Sequence, residues 1–194
     1  MLIATRNQGK VREIRKALKG LNIHPSSLTD LPGAPKVEED GKTFIENALK
    51  KARFYANYFG KLTIADDSGL EIDALKGLPG PYSARYAKEE ASAQDNNRKL
   101  LKEMEGIPLS KRKARFRCVL ALVSPDGKEV IVEGSCVGRI GLKEVGKKGF
   151  GYDPLFFLPR YGKTMAQLSI EEKNKISHRG KALRKLKRII HKFQ

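Results

Sequence analysis

No apolar run in this chain of 194 residues approaches the roughly 20 residues that a bilayer-spanning helix needs, which excludes a transmembrane helix. The start, Met1-Leu2-Ile3-Ala4 followed at once by Thr5-Arg6-Asn7, lacks the basic segment, long apolar stretch and small-residue cleavage site of a secretory signal. The expected location is therefore cytoplasmic, with no membrane partner. Cysteine is scarce: Cys118 and Cys136 alone cannot build a disulfide framework, and with His24, His178 and His191 they show no zinc-type spacing. A two-residue hairpin turn centred on Asp126-Gly127 would pair 118 with 135 and 136 with 117. That places the two thiols on opposite sheet faces, so buried, reduced cysteines are expected. Internal repeats and low-complexity segments are also absent.

Acidic residues are in deficit, 22 Asp and Glu against 39 Lys and Arg, giving a formal charge of +17. Such a field favours polyanions, whether nucleic acid or small phosphorylated compounds, although much of the excess is expected on solvated helix faces. With 40% hydrophobic and 31% charged residues, the chain is globular and long enough for one substantial core. One domain is expected.

Against that basic background two acidic clusters stand out, Glu38-Glu39-Asp40 and the stretch Ile64 to Asp73. In the second, Leu62 to Ala65 has the pattern of a strand, Asp66-Asp67-Ser68-Gly69 that of a turn, and Leu70, Ile72 and Ala74 alternate as a following strand. Crowded carboxylates repel one another and require a cation or hydrogen-bond donors to stay ionised near a core. Carboxylates at a strand end suit a hard cation such as Mg2+. An Asx-type turn, with either aspartate bonding backbone amides near Gly69, would use the same residues. Glu38 to Asp40 would equally serve as favourable charge ahead of the next helix.

Elsewhere the chain alternates strands, loops and helices. Leu2-Ile3-Ala4, the loop Thr5-Arg6-Asn7-Gln8-Gly9-Lys10 and the helical spacing of Val11, Ile14 and Leu18 form a strand-loop-helix unit suited to phosphate, without the spacing of a P-loop. A capping box, Thr43 with Glu46, opens a helix with an apolar stripe, and Lys50, Lys51 and Arg53 are expected on its solvated side. The segment 92–104 is helical by pattern and suggests packing only. Arg115 and Arg117 alternate with Phe116 and Cys118 and are expected as salt-bridged surface residues. Phe150-Gly151-Tyr152-Asp153 is a glycine-punctuated aromatic loop suited to stacking on a planar base, or to packing at a sheet edge. Lys173, His178 and Arg179 fall at a junction between two helices, the second of which is strongly basic.

The segments Thr5 to Lys10, Thr43 to Ala48, Ala65 to Leu70, Tyr82-Ser83-Ala84-Arg85-Tyr86, Phe150 to Pro154 and Ser177-His178-Arg179-Gly180 together resemble the inosine triphosphate pyrophosphatase family, also called Ham1-like. All six occur in the family's order. The resemblance implies an α/β fold with an elongated mixed central sheet, flanking helices and two lobes around a cleft, forming one catalytic domain over 1–194 and usually a homodimer. It implies Mg2+-dependent hydrolysis of ITP, dITP and XTP to the monophosphate and pyrophosphate. By position, Thr5, Arg6, Asn7, Gln8, Gly9 and Lys10 would hold the triphosphate. Glu38 and Asp67 would bind the metal, and Asp67 would also act as general base. Ser68 would contact substrate, Phe150, Gly151, Tyr152 and Asp153 would form the base pocket, and Lys173, His178 and Arg179 would complete it. Arg6 stands where many relatives have a small or different residue, which leaves its role open. Two alternatives remain: a related pyrophosphatase with another base preference, and a sequence-independent nucleic-acid-binding protein. The latter leaves both acidic clusters unexplained, and no specific nucleic-acid partner is expected.

Overall fold

A computed structural model describes residues 1–193. The strands are β1 (Leu2–Ile3), β2 (Ser26–Ser27), β3 (Thr63–Ile72), β4 (Lys113–Val123), β5 (Glu129–Ile140), β6 (Phe156–Leu158) and β7 (Lys163–Thr164), and they form one sheet in the order β2-β1-β3-β4-β5-β6-β7. β1 runs parallel to β2 and β3, whereas β6 runs antiparallel to β5 and β7, so the sheet is mixed. The helices are α1 (Gln8–Leu18), α2 (Phe44–Phe59), α3 (Ala93–Glu103), α4 (Ile170–Ile176) and α5 (His178–Lys187). The chain divides into two compact units, one comprising 1–67, 118–134 and the segment from 178 onward, the other 68–117 and 135–177.

In the first unit the two-residue period of the strands separates two cores. Leu2, Ala4, Ala65, Val119 and Ala121 pack with Phe44, Ala48, Ala52 and Tyr55 of α2. The alternate residues Ile3, Ile64, Leu120 and Leu122 pack with Val11, Ile14 and Leu18 of α1 and Ala182, Leu183 and Leu186 of α5. Each fully buried Leu or Ile contributes on the order of 1.5–3 kcal/mol. Helix α2 begins as its sequence predicts: Thr43 Oγ1 accepts from the Glu46 amide at 3.2 Å, the Glu46 carboxylate accepts from the Thr43 amide, and Gly60 closes the helix in the left-handed region.

The second unit has its own core, in which Leu70, Ile72, Phe116, Cys136, Ile140 and Phe156 meet Leu100 and Met104. On the other side of these strands Arg115 donates to Glu71 at 2.6 and 2.9 Å and Arg117 donates to it at 3.2 Å, the salt-bridged arrangement expected for these arginines.

Two local expectations are corrected. Asp66 to Gly69 is not a turn: β3 is continuous from Thr63 to Ile72, pairing with β1 at Thr63 and Ile64 and with β4 on its other side. The β4–β5 connection is also longer than a two-residue turn. The Gly127 amide donates to the Ser124 carbonyl at 3.0 Å and the Ser124 amide to the Lys128 carbonyl at 2.9 Å, so Pro125-Asp126-Gly127 forms a three-residue loop with Gly127 at φ +85°. This one-residue shift removes the opposite-face argument about the thiols. Cys118 and Cys136 are nevertheless free and buried, in different cores.

Candidate active site

Successive strand residues point to opposite faces, and the pair Asp66-Asp67 exploits this. Asp66 points to the α1 and α5 side, where Arg179 Nε donates to its Oδ2 at 2.7 Å and Lys10 Nζ lies 2.6 Å from its Oδ1. Arg179 Nη1 donates to Glu13 Oε2 at 2.6 Å, and the Cys118 thiol donates to Asp66 Oδ2 at 3.2 Å. Asp66, Glu13 and Arg179 are all buried. Burial opposes ionisation of Asp66, but the guanidinium and the ammonium outweigh it and hold its carboxyl well below the usual range. Burial, reinforced by Asp66, pushes the Cys118 thiol up, so it stays protonated.

Asp67 points to the α2 side. Lys51 Nζ donates to the Asp66 carbonyl at 2.9 Å, pairs with Glu39 Oε2 at 2.9 Å and lies 3.9 Å from Asp67 Oδ1. Burial pushes the Asp67 carboxyl up to about 6. Lys51 and Lys10 oppose that rise, and Glu39 and Asp66 add to it. Burial also works against ionised Glu39, but Lys51 and Lys10 prevail and lower its pKa.

The expected solvated Lys51 is thus corrected: it is 6% exposed, whereas Lys50 is exposed and pairs with Asp40 at 2.6 Å. Position 51 follows Ala48 by three and precedes Tyr55 by four, which puts it on the apolar stripe. The signal was present in the spacing. Glu38, the expected metal ligand, is exposed, and its neighbour Glu39 makes the contact with Lys51. The acidic loop is anchored to α2, since the Gly41 amide donates to Asn47 Oδ1 at 2.8 Å.

The Thr5–Lys10 loop feeds α1, whose N-cap is Asn7, with Oδ1 accepting from the Lys10 amide at 3.1 Å. Thr5 Oγ1 accepts from the Asn7 amide at 3.2 Å, and Arg6 donates to the Ala34 carbonyl at 2.5 Å. Gln8 and Gly9 occupy the first turn, where amides lack intrahelical acceptors and the helix end is positive, a setting that favours phosphate. His178 and Arg179 open α5 and are buried. A Cβ at Gly134 of β5 would collide with the His178 carbonyl and the Ala182 amide, so only glycine lets α5 approach so closely.

The remaining expected residues lie in the second unit. Ser68 continues β3 and is half-buried. Asp153 is buried, accepts from the Phe150 amide at 2.9 Å, and pairs with buried Lys173 of α4, whose ammonium stands 4.6 Å from the Phe150 ring centroid. Tyr152 donates its hydroxyl to the Ser83 carbonyl at 2.9 Å, and Asn97 of α3 donates to the Gly151 carbonyl at 3.3 Å. Helix α3 therefore supports this loop as well as packing, a role that no pattern in its sequence announced.

Among the described residues no group of three His, Cys, Asp or Glu is assembled for a metal. The donors at hand are the carboxylates of Glu39 and Asp67, both on Lys51. An all-oxygen pair whose anions raise the Asp67 pKa gains from a hard divalent cation that keeps water and substrate phosphate as its other ligands. The residues suit a hard divalent cation of this kind.

Compared with known proteins, the chain matches the Ham1 family over residues 1–189. It belongs to the Ham1 family. A dITP/XTP pyrophosphatase of Desulforamulus reducens is 51% identical over 193 residues, covering 100% of this chain and 96% of the relative. The dITP/XTP pyrophosphatase of Geobacter sulfurreducens is 55% identical over 187 residues, covering 96% and 94%. The solved HAM1 protein of Coxiella burnetii gives a TM-score of 0.87 at 40% identity, covering 98% of both chains, and the Ham1 protein of Staphylococcus aureus gives 0.86 at 41%, covering 100% and 98%.

Proposed function

We propose that this Ham1-family chain hydrolyses the keto-purine triphosphates ITP, dITP and XTP to the monophosphate and pyrophosphate with Mg2+, clearing them from the cytoplasmic nucleotide pool. The observation that carries this reading is Asp67, a buried carboxylate with its pKa pushed up to about 6 beside Lys51 and Glu39, in a chain about half identical to dITP/XTP pyrophosphatases. A base poised near neutrality suits proton transfer at physiological pH.

In this reading water attacks the α-phosphorus, the bond from that phosphorus to the bridging oxygen breaks, and pyrophosphate leaves. Asp67 accepts the proton of the attacking water. Mg2+, held by Asp67 with Glu39 and Glu38 as the candidate second carboxylates, supplies charge neutralisation on the phosphoryl oxygens when bound. Lys10, Lys51 and the α1 N-terminus stabilise the charge that develops on the phosphates. Arg179 acts on this chemistry as a positioning residue, fixing Asp66 and through the backbone its neighbour Asp67.

For the base, Phe150 offers a stacking face, Ser68 a polar contact, and Lys173, oriented by Asp153, a donor suited to a C6 oxygen. His178 is a second candidate donor. Adenine would set its amino group against such a donor, at a cost on the order of 1–3 kcal/mol, or roughly 10- to 100-fold per contact. The family resemblance also supports a single catalytic domain acting as a homodimer, which light scattering after gel filtration tests.

The deciding assay is pyrophosphate release with Mg2+ from ITP, XTP, ATP, GTP and CTP at equal concentration, with Asp67→Asn alongside. Release from ITP and XTP alone, lost in the variant, is expected. Equal rates on all five would refute the keto-purine pocket, and no pyrophosphate from any would refute the reaction.

A further inference from the structure

We propose that the exposed faces of α1 and α5 form a docking surface for the phosphodiester backbone of nucleic acid, read without regard to sequence, in addition to the nucleotide chemistry above. The two helices pack together on one side of the sheet and share a core. The only acid on α1 is Glu13, which is buried against Arg179, and no acidic residue occurs from 178 to the C-terminus.

What the two helices leave in solvent is almost purely cationic. Arg12 of α1, Lys19 just after it, Lys185 and Lys187 of α5, and Arg188 and Lys192 just after that helix make no ion pair among the described residues. On α1 itself Arg15 is neutralised by Asp30. Like charges gathered on so basic a surface repel one another unless an external anion neutralises them. A repeating phosphate chain does so and gains counterion release from each contact.

The chemistry favours nucleic acid over a lipid surface. A helix that lies on a membrane buries large apolar side chains in the acyl boundary, yet none of the exposed large hydrophobics among the described residues lies on α1 or α5. The site cations Lys10, Lys51 and Arg179 are held inward by carboxylates and do not belong to this face.

The test measures binding of fluorescent single-stranded DNA, duplex DNA and duplex RNA of equal length by anisotropy across a salt series. Beside them stand phosphatidylcholine vesicles containing phosphatidylserine. The wild type is compared with Lys185→Gln/Arg188→Gln/Lys192→Gln and with Arg12→Gln/Lys19→Gln, whose thermal melts report that both fold. Binding that weakens roughly tenfold in the triple variant, with the log–log salt slope reduced by roughly 0.9 for each charge removed, supports the proposal. So does indifference to excess ITP, and the three nucleic acids separate a preference for single strands, DNA or RNA. No binding at low salt, wild-type binding by both variants, displacement by ITP, or tighter association with the vesicles overturns it.

Discussion

Replacing Arg179 by Met separates two roles for this residue, the base contact implied by family resemblance and the internal positioning that the structure gives it. The guanidinium is 1% exposed and donates to Asp66 at 2.7 and 3.4 Å and to Glu13 at 2.6 Å, while Lys10 supplies the second cation. Removing one cation from two buried carboxylates leaves charge that one partly exposed ammonium cannot balance. Breaking such a buried arrangement costs about 3–5 kcal/mol, a large part of the roughly 5–15 kcal/mol that holds a domain together. In urea, with a slope of about 3 kcal/mol per molar, at the upper end of the range as suits a chain of this size, the midpoint falls by about 1–2 M at unchanged slope. Adding Glu13→Gln removes one of the stranded anions and should recover roughly 1–3 kcal/mol, a coupling that two independent residues would not show. A midpoint within error of wild type, together with a raised KM for ITP, would refute the positioning role and return Arg179 to the base pocket.

Asp67 sets a pH dependence of unusual sign. Its folded carboxyl titrates at about 6 against an ordinary 3.8, so the native state binds the proton more tightly and metal-free protein loses stability as pH rises from about 4 to 6. At 1.36 kcal/mol per unit the total is on the order of 3 kcal/mol. Urea midpoints in EDTA across that range should show the slope, and Asp67→Asn should flatten it; Asp66, held low, contributes stability that is lost only below its unfolded pKa. Lys51→Met should lower kcat for ITP by roughly 100-fold, whereas exposed Lys50→Met should stay within about twofold, since surface pairs contribute about 0–1 kcal/mol. Equal effects would place the chemistry away from Lys51. Gly149 has φ +78° and a Cβ there would collide with the Asp153 carboxylate, so Gly149→Ala should raise KM for ITP about tenfold with a smaller change in kcat, as expected for lost binding rather than lost transition-state contacts. An unchanged KM would detach Asp153 from base recognition.

Local rules made much of the chain legible. A capping box located the start of α2 at Thr43, and its apolar stripe identified the face that is buried. Motifs in their order carried the family, and the acidic clusters stood out because they ran against the charge of the whole chain. What failed was non-local. The presumed turn at Asp66 to Gly69 was judged from residue types that favour turns, yet pairing within the sheet overrides that preference. Extending the strand changes the site's logic. In a turn both aspartates would share one solvated environment. In a strand they face opposite layers, so Asp66 is fixed as an anion by Arg179 and Lys10, and Asp67 stands beside Lys51 with its carboxyl raised to about 6. This divergence of two adjacent carboxylates is what the proposal of proton transfer by Asp67 rests on. It depends on Lys51 of α2 and on Arg179 of α5, 113 residues from Asp66, the latter a separation no sequence window spans.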